Sequence, residues 1–422
     1  TGNKTYTASW TVNNYILDLN GNLDGSEPGN ISGYGTADVY INGVLVGDDV
    51  TDWYSEYPYG TKYEIKDIKA AAGHTYNGVI EGDAALSGTI GAARVNVTLK
   101  FTTNKYTVAY NANGGSGSMA TDTVTYGTDY TAKVNAFTRT GYTFAGWNES
   151  ADGKGSSWTS WIGKPWTWAY TKNITLYAQW TKDTYSISYD LDGGSISGQK
   201  TSYDVETDTF TLPTPSKSGY TFLGWTGANG STAQKSVSIT KGSTGNKAYT
   251  ANWSINQYTL TITGDAGVES TTGSGKYDYN SFARVTYVLK TGYHIVNTTD
   301  GNRTWADRAG YEGTVSDGWT VDRDRNIYVN TAPNTYTVKY DGNTATSGST
   351  ADSSHTYDTA KALTVNGFTK TGYTFKNWNT AADGSGTAYA DNASLKNLTS
   401  VNGGTVTLYA QWTANILTVQ YH

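Results

Sequence analysis

Histidine is the side chain best suited to proton transfer near neutral pH, and the chain has only His74, His294, His355 and His422, far apart in sequence. None takes part in a Ser-His-Asp arrangement or a His-Glu-x-x-His spacing, so neither nucleophilic hydrolysis nor zinc catalysis has a set of groups to work with. Asp18-x-Asn20-x-Asn22 and Asp322-x-Asp324-x-Asn326 begin like calcium loops. Both then fail, because a calcium loop needs glycine at its sixth position and glutamate at its twelfth, and the sixth is Leu23 or Ile327. These residues are read as turns. No glycine-rich phosphate loop stands between a strand and a helix. No cofactor and no metal are expected, and the chain is read as not being an enzyme.

One cluster stands above this background. Trp158, Trp161, Trp166 and Trp168 fall within eleven residues, Trp158–Trp168. Exposed indole faces stack on sugar rings and anchor protein interfaces. Trp158 follows an Asp-Gly-x-Gly turn as Tyr389 does in a sister segment, so it is read as structural. The other three have no counterpart there. They are either a ligand-binding face or the filling of a local core or of the interface to the next unit.

The elements that would carry these residues are strands. Tyr (35) and Trp (14) outnumber Phe (8) and Met (1), and Gly reaches 49 in 422 residues with only 6 Pro. Rings with a polar tip suit thin domains whose core lies near the surface. The net charge of −6 comes without a basic cluster, which makes nucleic acid a poor partner. No apolar run is long enough to span a bilayer, so no membrane insertion is expected. The absence of Cys excludes disulfides and thiolate chemistry and fits an exported bacterial protein.

Three phrases recur. A closing phrase reads Thr175-Leu-Tyr-Ala-Gln-Trp180, Lys247-Ala-Tyr-Thr-Ala-Asn-Trp253 and Thr407-Leu-Tyr-Ala-Gln-Trp412, and as Thr5-Tyr-Thr-Ala-Ser-Trp10 near the start. An opening phrase begins at Tyr106, Tyr185, Tyr258 and Tyr336, and a middle phrase reads Gly141-Tyr-Thr-Phe-Ala-Gly-Trp147, with partners ending at Trp225 and Trp378. Their alternation of large apolar and small polar residues is the period-two signature of a half-buried strand. Phe144, Trp147, Phe222, Trp225, Phe375 and Trp378 are the expected core. Stretches 11–101 and 254–331 keep the same skeleton in weaker form, with Phe101 and Thr331 where the closing Trp is expected. From closing to opening slot the step is always five, from Trp10 to Tyr15 through to Trp412 to Leu417. The four residues between span at most about 14 Å, so neighbouring units must sit close together.

With these phrases the chain resembles the Listeria–Bacteroides repeat, also called the internalin B-repeat. The matching hallmarks are Asn113-Gly-Gly115, the Gly-Tyr-Thr-Phe-x-Gly-Trp phrase, Ala151-Asp-Gly-Lys-Gly155 with Ala382-Asp-Gly-Ser-Gly386, and the Leu-Tyr-Ala-x-Trp closing. Unit 184–253 has Asp192-Gly-Gly194 but lacks the Asp-Gly-x-Gly loop. The resemblance implies a β-rich α+β fold: a tandem array of small β-grasp-like domains, each a sheet with one short helix or loop across it, forming an elongated rod. Two divergent β units, 11–101 and 257–331, could instead be Ig-like or sandwich-like. The expected division is 1–10 as the end of a preceding repeat, 11–104 divergent, 105–183 and 184–256 repeat-like, 257–334 divergent, 335–412 repeat-like, and 413–422 as the start of a following repeat.

The resemblance also implies an extracellular or cell-surface location and no catalytic residues. The expected function is a non-catalytic stalk that presents or forms a binding surface. The alternative is an adhesin module that binds host glycan, mucin or a host surface protein directly. Head-to-tail or lateral self-association is the other expected partnership.

Overall fold

The structure, a computed structural model, describes residues 1–420. The chain divides into two compact units, one of Thr1–Ile187, Lys200–Phe210 and Ser238–Lys247, the other of Ser188–Gln199, Thr211–Val237 and Ala248–His422.

In the first unit, one sheet has the order Trp53–Pro58, Asn14–Leu23, Val95–Thr103, His74–Val79. The next repeats it as Asp122–Thr125, Lys105–Asn111, Ile174–Lys182, Tyr142–Asn148. In the second unit the same order appears as Gly275–Asp278, Gln257–Gly264, Arg325–Pro333, Tyr293–Asp300, with Arg303–Trp305 added at the edge. It appears again as Ser353–Thr356, Thr335–Asp341, Thr405–Ala414, Tyr373–Asn379, with Ala388–Tyr389 added.

In each of these sheets the closing phrase is an interior strand. It runs parallel to the opening strand (Ile174 beside Val108, Thr405 beside Thr337) and antiparallel to the middle strand (Phe144 opposite Trp180, Phe375 opposite Trp412). The divergent stretches obey the same register, with Tyr76 opposite Phe101 and Ile295 opposite Thr331. Phe101 and Thr331 therefore do occupy the closing slot. In 184–256 the middle strand Tyr220–Gly227 pairs the same way, Phe222 opposite Trp253.

Trp147, Trp225 and Trp378 have no exposed surface. Phe144, Phe222 and Phe375 are only partly covered. Each stands edge-on to its tryptophan, with ring centroids 5.0, 5.4 and 5.1 Å apart, and spans to the closing Trp at 5.4–5.9 Å. Offset edge-to-face rings of this kind add about 0.5–1.5 kcal/mol per pair beyond area burial.

The second layer corrects the expected α+β class. Among the described residues there is no α-helix, only a single 3-10 turn at Thr159–Trp161. In place of a crossing helix the sheet is covered by small β ladders, Asp129–Thr131 with Pro165–Thr167 in one case and Lys361–Ala362 with Ser394–Leu395 in another. The crossing segments carry Gly153, Gly155, Gly163 and Pro165, or Gly384, Gly386, Gly403 and Gly404. At roughly 1 kcal/mol per glycine and 3 per proline, a helix there has no chance to nucleate. In the divergent stretches the second layer is a full sheet: Val44–Val50, Gly35–Ile41, Lys62–Ala70 and Ser87–Thr89 in one, Val268–Thr272, Phe282–Leu289 and Thr314–Thr320 in the other. These two are sandwiches built on the shared sheet.

Residues 1–13 and 415–420 form no strand, and Tyr6, Trp10, Ile416 and Leu417 are each at least 86% exposed. The strand phrases expected there have no sheet partner. Tyr421, the last residue of the opening phrase expected from Leu417, and His422 lie outside the described residues.

Candidate functional site

The constant five-residue step has a structural cause. Its third spacer residue is always Asn or Asp: Asn104, Asp183, Asn256, Asn334 and Asn415. The backbone N–H of each donates to the carbonyl of the glycine that opens the middle phrase. Asn104 donates to Gly73 at 2.8 Å, Asp183 to Gly141 at 3.0 Å, Asn256 to Gly219 at 2.9 Å, Asn334 to Gly292 at 2.7 Å and Asn415 to Gly372 at 2.9 Å. The side-chain oxygen of the same residue accepts from Thr75, Thr143, Thr221 or Thr374 at 2.6–2.7 Å, and Asn334 is paired with His294 Nδ1 at 2.8 Å.

The following segment then sends a side chain onto that glycine. The Tyr126 ring covers Gly73, Tyr279 covers Gly219, Tyr357 covers Gly292, and Val205 covers Gly141. A Cβ at any of these glycines would lie 1.9–2.3 Å from the covering side chain, and all four have φ of 74–78°. Only glycine satisfies both demands. Tyr126, Tyr279 and Tyr357 are anchored in turn, their N–H groups donating to the carbonyls of Asn104, Asn256 and Asn334 at 2.8–3.0 Å. Where valine replaces tyrosine, the Tyr142 hydroxyl and the Lys182 ammonium bond Glu206 instead, and hold its carboxyl below the usual carboxylate range. The sequence reading missed this device. Its signal was the Asx residue at one fixed place in every spacer.

The family hallmarks have local causes as well. Asn113 and Asn343 adopt left-handed backbone in the turn after the opening strand. Their amide groups donate both to the closing strand (Ala178 O, Ala410 O) and to the carbonyl that starts the Asp-Gly-x-Gly loop (Ala151 O, Ala382 O), at 2.7–2.9 Å. Asp192 holds the equivalent place in the segment that lacks the loop. A carboxylate cannot donate, and there is no loop carbonyl to receive.

The tryptophan cluster divides. Trp168 and Trp158 are buried, with their indole N–H groups donating to Tyr170 O at 2.8 Å and Glu149 Oε1 at 3.0 Å. Trp166 is half-buried on the ladder opposite Tyr130, and Trp161 is 45% exposed at the end of the 3-10 turn. Their rings lie 5.5 Å apart, and Trp158 stacks on Tyr170 at 5.6 Å. Trp158, Trp161, Trp166 and Tyr170 line an open pocket of ~250 Å³. Its walls are aromatic faces, a surface suited to stacking on a flat or C–H-rich ring. Among the described residues no cluster of three or more His, Asp or Glu could hold a metal ion.

The sequence profile described as the Listeria-Bacteroides repeat domain matches residues 106–179, 185–256 and 336–411, just over half the chain. The chain belongs to the Listeria-Bacteroides repeat family. Two proteins of Evansella cellulosilytica, named as membrane proteins, one of them Gly-rich, are 27% and 26% identical over 75% and 79% of this chain. Internalin H of Listeria monocytogenes is 35% identical over 29% of the chain, and covers 20% of its own length. The chain spans less than half the length of the two Evansella relatives, 45% and 36%. Among solved structures, the major pilin of Streptococcus pyogenes aligns with 76% of this chain and 99% of its own at 8% identity, with a TM-score of 0.15, too low to bear on the repeat fold. No helix among the described residues is long and apolar enough to cross a membrane.

Proposed function

We propose that this chain is a non-catalytic structural segment of a bacterial surface protein, in which Listeria-Bacteroides repeats serve as an extracellular stalk, divided at the boundaries given above. The observation that carries this reading is the junction. The same Gly–Asx bond recurs five times, and a following side chain fills the glycine surface four times, which ties each repeat to its neighbour without a flexible linker. A string of units that contact only their neighbours supports length and tolerates the loss of one unit. The test is in-frame removal of 184–256, which joins Asp183 to Gln257 and restores an Asx two residues before Tyr258. Remaining repeats that keep the parent's melting behaviour support the reading; collapse of the whole chain contradicts it.

A second reading, an adhesin module for host glycan, mucin or a host surface protein, is favoured by one observation: the open pocket floored by Trp161, Trp166 and Tyr170. Under that reading Trp161→Ala and Trp166→Ala abolish binding to mucin or glycan-coated surfaces and leave the fold intact. Self-association of the segment is tested by its sedimentation at increasing concentration.

A further inference from the structure

We infer that the outer face of the first sheet, at 14–103, carries a binding cleft for an uncharged sugar ring. Alternation along Asn14–Leu23 sends Leu17 and Leu19 into the core with no exposed surface, which puts Asp18 and Asn20 on the opposite face. The register sets Tyr54 and Asn96 level with Asp18 on either side, and Thr98 level with Asn20. Loops bearing Pro28 and Asp83 close over this row and leave a cleft of ~600 Å³. That volume lies within the range of small-molecule sites, about 300–1,000 Å³.

Asp18 is the unusual group. It is only 5% exposed although it lies on the face away from the core. Its carboxylate pairs with the Arg94 guanidinium and accepts from Asn20 Nδ2 at 2.8 Å. Desolvating a carboxylate gives no stability that an apolar residue could not supply, so its place here points to use. Arg94 also lies over the Tyr54 ring at 5.4 Å, and Tyr54 itself is 64% exposed.

The chemistry of this lining selects its ligand. Carboxylates and amide oxygens accept from sugar hydroxyls, and the guanidinium fork and amide N–H groups donate to them. Arg94 lies over one face of the Tyr54 ring, and the ring, 64% exposed, has its other face for the C–H side of a sugar. Asp18, Asp52 and Asp83 outnumber the single cation Arg94, so a sialylated or sulfated glycan meets repulsion. The cleft is separate from the tryptophan pocket and does not depend on it.

The test is saturation-transfer NMR and titration of the whole chain with lactose, maltose and chitobiose, and with sialyllactose as the charged control. Saturation transfer to at least one neutral disaccharide is expected, with affinity falling about tenfold or more in Tyr54→Ala and in Asp18→Asn. Tyr54 is on the surface, so its variant keeps the test sound if Asp18→Asn fails to fold. No transfer to any neutral sugar, a preference for sialyllactose, or binding that survives Tyr54→Ala overturns the proposal. Loss in Trp161→Ala alone also overturns it and moves the site to the tryptophan pocket.

Discussion

Tyr279 lies flat against Gly219, so close that a Cβ on that glycine would sit 1.9 Å from the Tyr279 ring. The two residues belong to successive repeat segments, joined by the Asn256 N–H bonded to Gly219 O and by Tyr279 N–H bonded to Asn256 O. Gly219→Val adds a β-branched side chain at φ 74° and expels the ring. Strain alone is worth roughly 1–3 kcal/mol. Tyr279→Ala removes the contact without strain. Backbone relaxation is expected to show the segments on either side folded but moving independently in Tyr279→Ala, with added loss of stability in Gly219→Val.

The core tryptophans differ in one atom's environment. Trp147 Nε1 donates to Lys133 O at 2.9 Å, whereas Trp225 Nε1 is buried without a partner. Trp→Ala at either place should cost about 3–5 kcal/mol. Trp→Phe should separate them, because an orphaned buried donor carries a penalty of about 1–3 kcal/mol that its removal relieves. Chemical denaturation should therefore show Trp225→Phe clearly milder than Trp147→Phe.

Asn343→Asp is expected to destabilise its repeat by about 1–3 kcal/mol, since the amide's two donated bonds, to Ala382 O and Ala410 O, are lost and two carbonyls are left facing a carboxylate. The reverse change, Asp192→Asn, should gain far less, because that segment has no Asp-Gly-x-Gly loop to bond. Thermal melts of both variants check the pair.

Much of this was legible in the sequence. The alternating phrases placed the strands, and the middle-phrase tryptophans placed the core, because period-two patterning and ring size are read residue by residue. The skeleton in 11–101 and 254–331 pointed to the shared sheet. What the sequence did not disclose are contacts between distant residues. Nothing local shows that Tyr126 meets Gly73, or that Trp161 is open while Trp168, seven residues on, is sealed under Tyr170. The crossing helix fails for a reason that was on view, the glycines and proline of 149–172, but the family resemblance outweighed it.

His355 gives a pH test. Its imidazole is almost fully buried, stacked on Tyr336 at 5.5 Å and paired through Nε2 with Ser353 Oγ at 2.9 Å. Burial, and then the Lys361 charge, hold its pKa below the ordinary 6.5. The unfolded chain therefore takes up the proton more readily than the folded one. Stability is complete above about pH 6.5 and declines as pH falls through the window beneath it, to level off below the folded pKa. Urea titrations at about pH 7.5 and 5, read on the resonances of Thr405–Ala414, should show this decline, and His355→Gln should flatten it.

Amide hydrogen exchange at Asn104, Asp183, Asn256 and Asn334 tests the locked junction most directly. Each lies in a short connector that would exchange at loop rates if it were free. If each Gly–Asx bond is sealed by the side chain that the following repeat lays on its glycine, these four amides are protected as strongly as the strand amides beside them, and Tyr279→Ala lowers protection at Asn256 alone. Exchange at the rate of exposed loops, with the strands on both sides still protected, would contradict it.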